Sequence, residues 1–431
     1  MENKPILLAQ AAMEATYDGL ASFFLIAFAL TLGADNLAIG IIGATPFIAT
    51  LLAEIPAVKL QEYFCRKTIC VYATGISRVF WVGIIAAPFL LQRNPLVTIV
   101  MFYMLLRIIQ YLCDPSWITL LADIISPKER GSFFGKMLRI VAVASTLTSV
   151  AGGFYLSSFP EETKLSFAVI FFVGMLFGLV STYFIGKIKE PTYCDHVHHP
   201  LKEYLLLNGS FRKFALTSFF FHFAVMLASP FFAVYMLKDL GLTYAMFTIF
   251  NAISPLTKIL FYGPIGRVYD RIGDKKLVTI STISTAIVPV IFMFITKETF
   301  WLLIPAQIIA GISWAGTEIG ITNMLFGLSE RKHRALQMAG YQILISIASI
   351  AGPILGGLLA DNVTIMLTGI PLIFAISTIL RLFAGTLFTR LAEPRKESTM
   401  KDVFREVVHL DILSEVSHPF VIAVKRITRW M

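Results

Sequence analysis

The sequence predicts an all-α membrane protein, with twelve transmembrane helices arranged as two pseudo-symmetric six-helix bundles. Three observations carry this. The 431-residue chain has a mean hydropathy of +0.76, with 57% hydrophobic and only 15% charged residues, whereas a soluble domain carries about 25% charged residues. Apolar runs long enough to cross a hydrocarbon core of about 30 Å, roughly 20 residues each, occur twelve times. The second half of the chain also repeats landmarks of the first at a nearly constant offset.

The runs fall at 6–33, 37–58, 69–91, 96–122, 137–158, 165–187, 213–237, 242–264, 277–296, 299–326, 335–360 and 364–388. All are expected to be helices, because an open strand edge leaves backbone groups unsatisfied in lipid. Lysine and arginine set the orientation. With the N-terminus inside, 28 of the 36 fall in cytoplasmic segments, four in outside loops (Arg93, Lys164, Lys238, Lys297) and four within spans. Both termini are therefore expected in the cytoplasm, at a cell membrane. The net charge of +9 follows this placement and is read as topology, not as a nucleic-acid surface. The four cysteines (65, 70, 113, 194) form no paired framework, so no disulfide is expected. The first apolar run is too long for a cleavable signal.

The expected organisation is an N-terminal six-helix bundle (1–187), a cytoplasmic central loop (188–212), a second bundle (213–389) and a cytoplasmic tail (390–431). The tail ends in a basic segment with apolar punctuation, which fits an amphipathic stretch on the inner leaflet; a regulatory or partner-binding role is the alternative. Across the division, Leu32-Gly33 answers Leu240-Gly241, and Glu62 answers Asp270, both at an offset of 208. Gly152-Gly153 answers Gly356-Gly357 at 204.

The most distinctive stretch is Gly266-Arg-Val-Tyr-Asp270-Arg271-Ile-Gly273-Asp274-Lys275-Lys276, a charged loop between two apolar runs. Its degenerate copy, Val58–Lys67, keeps an acid (Glu62) and a basic pair (Arg66, Lys67) but not the glycines. The first of these resembles the signature loop of the major facilitator superfamily. Leu106-Arg107-Ile-Ile-Gln110 resembles the Arg-x-x-Gln motif of that family's fourth helix, with Tyr111 where a glycine is usual. Asp123, Arg130-Gly131 and Gly135 resemble its loop between helices 4 and 5. Gly352-Pro353-Ile-Leu-Gly356-Gly357 has the wording of the family's antiporter motif, but sits in span 11 instead of span 5. Close packing through small residues accounts for the glycine pairs equally well.

The resemblance covers residues 6–388 and implies a secondary transporter that works by alternating access. A small-molecule substrate, protons and the bilayer are the implied partners, with no nucleic acid, no cofactor and a monomeric state. Proton-coupled efflux is the preferred reading. The alternatives are uptake of a sugar-like solute or an organic acid, and a non-transporting sensor or lipid-handling protein. The resemblance also implies a conformational latch on the cytoplasmic side, formed by Glu62, Arg66, Gly266, Asp270, Arg271, Gly273, Asp123 and Arg130. In it, Asp270 would engage Arg271 or the positive N-terminal end of span 11.

Ionisable groups in a span cost at least ~2.5–3.5 kcal/mol each on insertion scales, which makes them functional candidates. They are Glu14, Asp18, Arg78, Arg107, Asp114, Lys258, Glu318 and Arg381, with His222 as the single intramembrane histidine. Four acids against four bases suggests pairing. The resemblance implies that the first and fourth helices of each half line the central cavity. Matched by depth, spans 1 and 4 would then bring Asp18 to Arg107 as an ion pair and Glu14 to Asp114 as a carboxylate pair, and the repeat offsets set His222 against Glu318. Two apposed carboxylates in low dielectric hold a proton between them, and a His–carboxylate pair titrates near neutrality. Other readings stand beside these. Glu14 could lie at the surface, and His222 could bond a backbone carbonyl. Arg78 and Arg381 could be structural or snorkelling, and Lys258 could cap a helix end.

Tyr17, Trp117 and Trp314 are expected to line the cavity together with phenylalanines of span 7, which suits an apolar or cationic solute. Lipid-facing packing is the alternative for most of the phenylalanines. Cys194, His196, His198 and His199 are metal-ligand types without the spacing of a closed zinc site, and no metal is expected. No phosphate-cradling loop or nucleophile–base set occurs, so neither an ATP-driven pump nor a hydrolase, nor any other enzyme, is indicated.

Overall fold

The computed structural model describes residues 3–91, 94–126, 129–161, 163–189, 209–330, 334–363 and 369–393. Cys194, His196, His198 and His199 of the central loop, where no metal is expected, and the tail beyond 393 lie outside the described residues. Twelve helices are long and apolar enough to cross a membrane. We number them as spans 1–12: Asn3–Thr31, Asn36–Glu54, Arg66–Leu90, Pro95–Leu121, Phe133–Ser158, Thr163–Lys187, Gly209–Asp239, Tyr244–Tyr269, Asp274–Met293, Phe300–Leu328, Leu336–Asn362 and Ile370–Arg390. Each coincides with one of the predicted apolar runs. No strand occurs among the described residues.

The repeat visible in the sequence has a backbone cause. Gly33 and Gly241 both take positive φ (82° and 68°), a conformation glycine adopts without strain. Each ends one span and turns the chain into the next. Two residues later Asp35 and Thr243 cap the following helices, accepting from the backbone N–H of Ala38 (2.7 Å) and Met246 (3.3 Å). The signature loop departs from this symmetry. Gly273 has φ 100°, whereas its counterpart Cys65 has an ordinary φ of −63°.

The packing repeats as well. Span 1 packs on spans 5 and 6, and span 7 on spans 11 and 12; span 3 packs on 4 and 6, and span 9 on 10 and 12. The first six spans meet the last six through spans 2 and 11 and through spans 5 and 8. The doubled glycines form these seams. A Cβ at Gly153 would meet Thr248 and Tyr244 of span 8, and one at Gly357 would meet Asn36 and Leu37 of span 2. Gly152 and Gly356 fit against Phe24 and against Leu227 and Phe231, within their own sets of six. All four positions are explained by close helix approach.

Both seams are fastened at the face remote from the termini. At the end of span 11, Asp361 accepts from the side-chain amide of Asn36 (2.7 Å) and the backbone N–H of Leu37 (3.1 Å), at the start of span 2. At the end of span 5, the Ser157 hydroxyl accepts from the backbone N–H of Ala245 (2.9 Å), at the start of span 8. Each acceptor satisfies helix N–H groups that have no intrahelical partner. Ser157 and Asp361 are themselves related by the 204 offset. The two fasteners are therefore copies of each other.

Two spans are broken where the chemistry lies. Span 1 changes from α-helix (Asn3–Leu20) to a 3₁₀ turn (Ser22–Phe24) and back to α-helix (Leu25–Thr31). Span 4 breaks at Leu112-Cys113, and Asp114 opens its second segment, Asp114–Ile124.

Candidate functional site

The buried charges form two separate arrangements, neither of which is the set expected from depth and repeat offset. In the first six spans, Glu14 is held by Arg78 of span 3 (2.5 Å). The Ser181 hydroxyl (2.8 Å) and the Gln110 amide (3.5 Å) also donate to its carboxylate. Gln10 in turn donates to Ser181 (3.1 Å). Arg78 is wholly buried, and its guanidinium lies 3.8 Å from the centre of the Tyr17 ring. Tyr17 accepts a hydrogen bond from Trp81 (3.0 Å) and is itself fully buried. The expected Glu14–Asp114 carboxylate pair is thus replaced by a Glu14–Arg78 ion pair, and Tyr17 belongs to that network and not to a cavity wall. The break at Leu112-Cys113 re-aims span 4, leaving Asp114 on an exposed surface.

Asp18 and Arg107 line one cavity of about 460 Å³ at mid-height, together with Ser22, Ser145, Ser149 and Asn251. They form no ion pair. Asp18 accepts from Ser22 (3.0 Å), while Arg107 donates to the Tyr103 hydroxyl (3.0 Å) and the Gln110 carbonyl (3.2 Å). The unwinding of span 1 at residues 21–24 accompanies the exposure of Ser22 and Phe23 to the cavity. Phe23 is the one aromatic residue among the lining residues, so the expected aromatic wall is largely absent. Trp117 packs among Leu120, Leu121 and Phe133, and Trp314 among Phe221, Met324 and Tyr341. Of the span 7 phenylalanines, Phe221 and Phe231 are buried in helix–helix cores while Phe220 is exposed.

Asp114 makes no hydrogen bond or ion pair among the described residues. Arg107 acts on it with favourable charge, and Glu54 and Glu14 act with like charge. Glu54, five residues from the charged end of its apolar run, had no place among the expected site residues. Its position beside Asp114 depends on how span 2 is rotated, which the sequence does not show.

The last six spans hold the second arrangement. Glu318 of span 10 accepts from Lys258 (2.9 Å) and from the Tyr262 hydroxyl, both on span 8. His222 does not face Glu318; its Nδ1 lies 2.8 Å from the Ser218 carbonyl one turn earlier on its own helix. Lys258 is a partner of the acid and not a helix cap. Arg381 is buried and bonds to Ser377 (3.0 Å) and the carbonyls of Thr285 (2.9 Å) and Val225 (3.4 Å). It ties span 12 to spans 9 and 7, which is a structural role.

At the terminal face, Arg66 forms an ion pair with Asp123, joining span 3 to the end of span 4. Lys4 pairs with Glu129 (2.8 Å), to which Ser126 also donates (2.9 Å). These hydrogen bonds hold the Glu129 carboxyl below the usual range. The side chains of Glu62, Arg130, Asp270 and Arg271 lie outside the described residues. In the signature loop the described anchor is Asp274. Its side chain is buried and accepts from Asn323 of span 10 (2.7 Å), while Glu393 accepts from the backbone N–H groups of Asp274 (3.1 Å) and Lys275 (2.8 Å). Gly266 has open space where a side chain would point, so its glycine is not required by packing.

A helical membrane protein made of two repeated sets of six spans, hydrogen-bonded to each other at one face and holding a charged cavity, is the class that this fold and site define. The chain belongs to the Major Facilitator Superfamily, whose sequence pattern matches residues 6–203 and 214–427. It is 28% identical over 135 residues to quinolone resistance protein NorA of Staphylococcus aureus, covering 31% of this chain and 34% of that protein. It is 30% identical over 146 residues to the class H tetracycline resistance protein of Pasteurella multocida, covering 34% of this chain and 35% of that one. The chain thus spans about a third of the length of the curated relatives it matches. Among solved structures, a bacterial homologue of the iron transporter ferroportin in an inward-facing state superposes with a TM-score of 0.71 at 13% identity, covering 90% of this chain and 98% of that one. The nucleoside transporter NupG does so with a TM-score of 0.64 at 15% identity, covering 90% and 99%. At these identities the likeness shows the fold alone.

Proposed function

We propose that the protein is a secondary carrier that exports a small organic solute by alternating access, driven by proton exchange at Asp114. The observation that carries this reading is the asymmetry of the cavity. Two copied fasteners, Asp361 on span 2 and Ser157 on span 8, hold one face shut. A polar cavity containing Asp18 and Arg107 lies at mid-height, where charge has no use for packing. The Ser157 fastener is one neutral hydrogen bond worth about 1 kcal/mol, and the Asp361 fastener is two bonds to a carboxylate worth about 1.5–3 kcal/mol each. Such contacts can be broken and remade in a cycle without unfolding the bundles.

Asp114 is suited to carry the proton because it is exposed and, among the described residues, makes no hydrogen bond or ion pair that compensates its charge. Glu318, tied to Lys258 and Tyr262, is less suited, because its charge is already compensated. The lysine and arginine distribution supports cytoplasmic termini, and with that orientation the fastened face is the outer one. Export is favoured over uptake by the two relatives, which are named for resistance to quinolones and tetracycline.

The test is flux in proteoliposomes. An imposed pH gradient should drive accumulation of a solute identified by stabilisation screening, and adding the solute should move protons. A protein that binds solute but moves neither solute nor protons would be a sensor, and the carrier reading would fail.

A further inference from the structure

We infer that the mid-height cavity is built for a small zwitterion, whose ammonium group meets Asp18 and whose carboxylate meets Arg107. This deepens the carrier reading and rests on it. A carboxylate and a guanidinium share one cavity of about 460 Å³ without pairing to each other. Isolated charges in an apolar bundle are expensive, and natural proteins pair them or put them to use. The bundle shows that it can form such a pair, since Glu14 and Arg78 do so a turn or so away. Asp18 and Arg107 instead keep only neutral partners: Ser22 for the acid, Tyr103 and Gln110 for the base. A ligand carrying one charge of each sign satisfies both at once and adds no net charge to the cavity.

The remaining wall agrees with a polar guest. Ser145 and Ser149 of span 5 present hydroxyls on one side. Asn251 of span 8, which packs against span 5, also lines the cavity; its amide nitrogen is already engaged by the Phe247 carbonyl (2.8 Å), which leaves its carbonyl oxygen to accept. A guest would therefore touch both sets of six spans. One aromatic residue, Phe23, is too little for a flat lipophilic cation of the kind the phenylalanine content first suggested. The volume falls within the roughly 300–1,000 Å³ typical of small-molecule sites. The other carboxylates nearby are accounted for: Glu14 by Arg78, and Asp114 by the proton.

The experiment measures binding to the purified full chain by L-alanine, alanyl-alanine and trialanine, each beside its N-acetylated and its C-amidated form, with ethidium as the lipophilic cation. At least one free zwitterion should bind about 10- to 100-fold more tightly than either capped form, as expected for loss of one buried charge-assisted contact. Asp18→Asn should weaken that zwitterion to the level of its N-acetylated form and leave the N-acetylated form unchanged. Arg107→Gln should do the same with respect to the amidated form. The unchanged partner in each case shows that the variant is folded. Equal binding of free and capped forms, or tighter binding of ethidium unaffected by Asp18→Asn, would overturn the inference. Proton movement separates the two readings. Zwitterion binding without solute-driven proton flux removes the carrier and keeps this site. Ethidium-driven proton flux without zwitterion preference keeps the carrier and removes this site.

Discussion

Replacing Arg78 by methionine tests the Glu14 network most sharply. The guanidinium is completely buried, makes an ion pair with Glu14 at 2.5 Å and lies 3.8 Å from the Tyr17 ring centre. Removing it leaves the Glu14 carboxylate with two neutral donors, Ser181 and Gln110. Breaking a buried pair from one side costs about 3–5 kcal/mol. The Glu14 side chain is 24% exposed, which lets water reach it and places the loss near the lower end of that range. Loss of the cation–π contact contributes roughly another 1 kcal/mol. Glu14→Gln alone leaves the buried cation uncompensated and should cost about as much. The double variant removes both charges and keeps the volume, so its cost should be only about 1–2 kcal/mol. The assay is reversible unfolding in mixed micelles, read as a double-mutant cycle. A coupling of roughly 3 kcal/mol or more is expected. Additive losses, with the double variant the least stable of the three, would refute the pairing.

Asp361→Ala and Ser157→Ala, singly and together, should shift the population toward a state open at the fastened face. Labelling of a cysteine introduced at Ser22, by an impermeant reagent on that face, should rise about fivefold for Ser157→Ala, the ratio for about 1 kcal/mol, and by more for Asp361→Ala, which removes two bonds to a carboxylate. Gly357→Val should force spans 2 and 11 apart, because even a Cβ there would meet Asn36 and Leu37. The same labelling should become constitutive, while Gly266→Ala, in open space, should leave it unchanged. Glu129 is held below the usual carboxyl range by Lys4 and Ser126, so its contact with Lys4 contributes fully above the unfolded value, about 4.3, and is lost as pH falls through the lower folded value. Proteolytic protection of residues 3–8 should therefore persist as pH falls to the unfolded carboxyl range and be lost only below it, whereas Glu129→Gln should remove that pH dependence.

The spans were legible because lipid demands long apolar helices, and each run is interrupted by charge or by a turn glycine such as Gly33 or Gly241. The balance of acids and bases was legible too, but the pairing it implied is present for Glu14–Arg78 and Glu318–Lys258 and not, among the described residues, for Asp18, Arg107, Asp114 or Arg381. The partners were not legible. Depth along a span fixes height but not rotation, and the breaks at 21–24 in span 1 and 112–113 in span 4 rotate the later part of each helix. Glu14, in the unbroken Asn3–Leu20 segment, faces Arg78 through the helix rotation that depth leaves open, and Asp114, just after the break at 112–113, is exposed. His222 was assigned by offset to Glu318, yet a carbonyl one turn back was nearer, and Lys258 and Tyr262 reached Glu318 first. The doubled glycines read as a transport motif or as packing with equal ease, and only the neighbours of their α-carbons decide for packing.

The account turns on Asp114 as the proton carrier, and the most direct measurement compares exchange with net transport in Asp114→Asn proteoliposomes. Solute-for-solute exchange should remain at the wild-type rate, while pH-driven net transport and solute-driven proton flux should both vanish. Proton-coupled net transport that survives in Asp114→Asn would contradict the account.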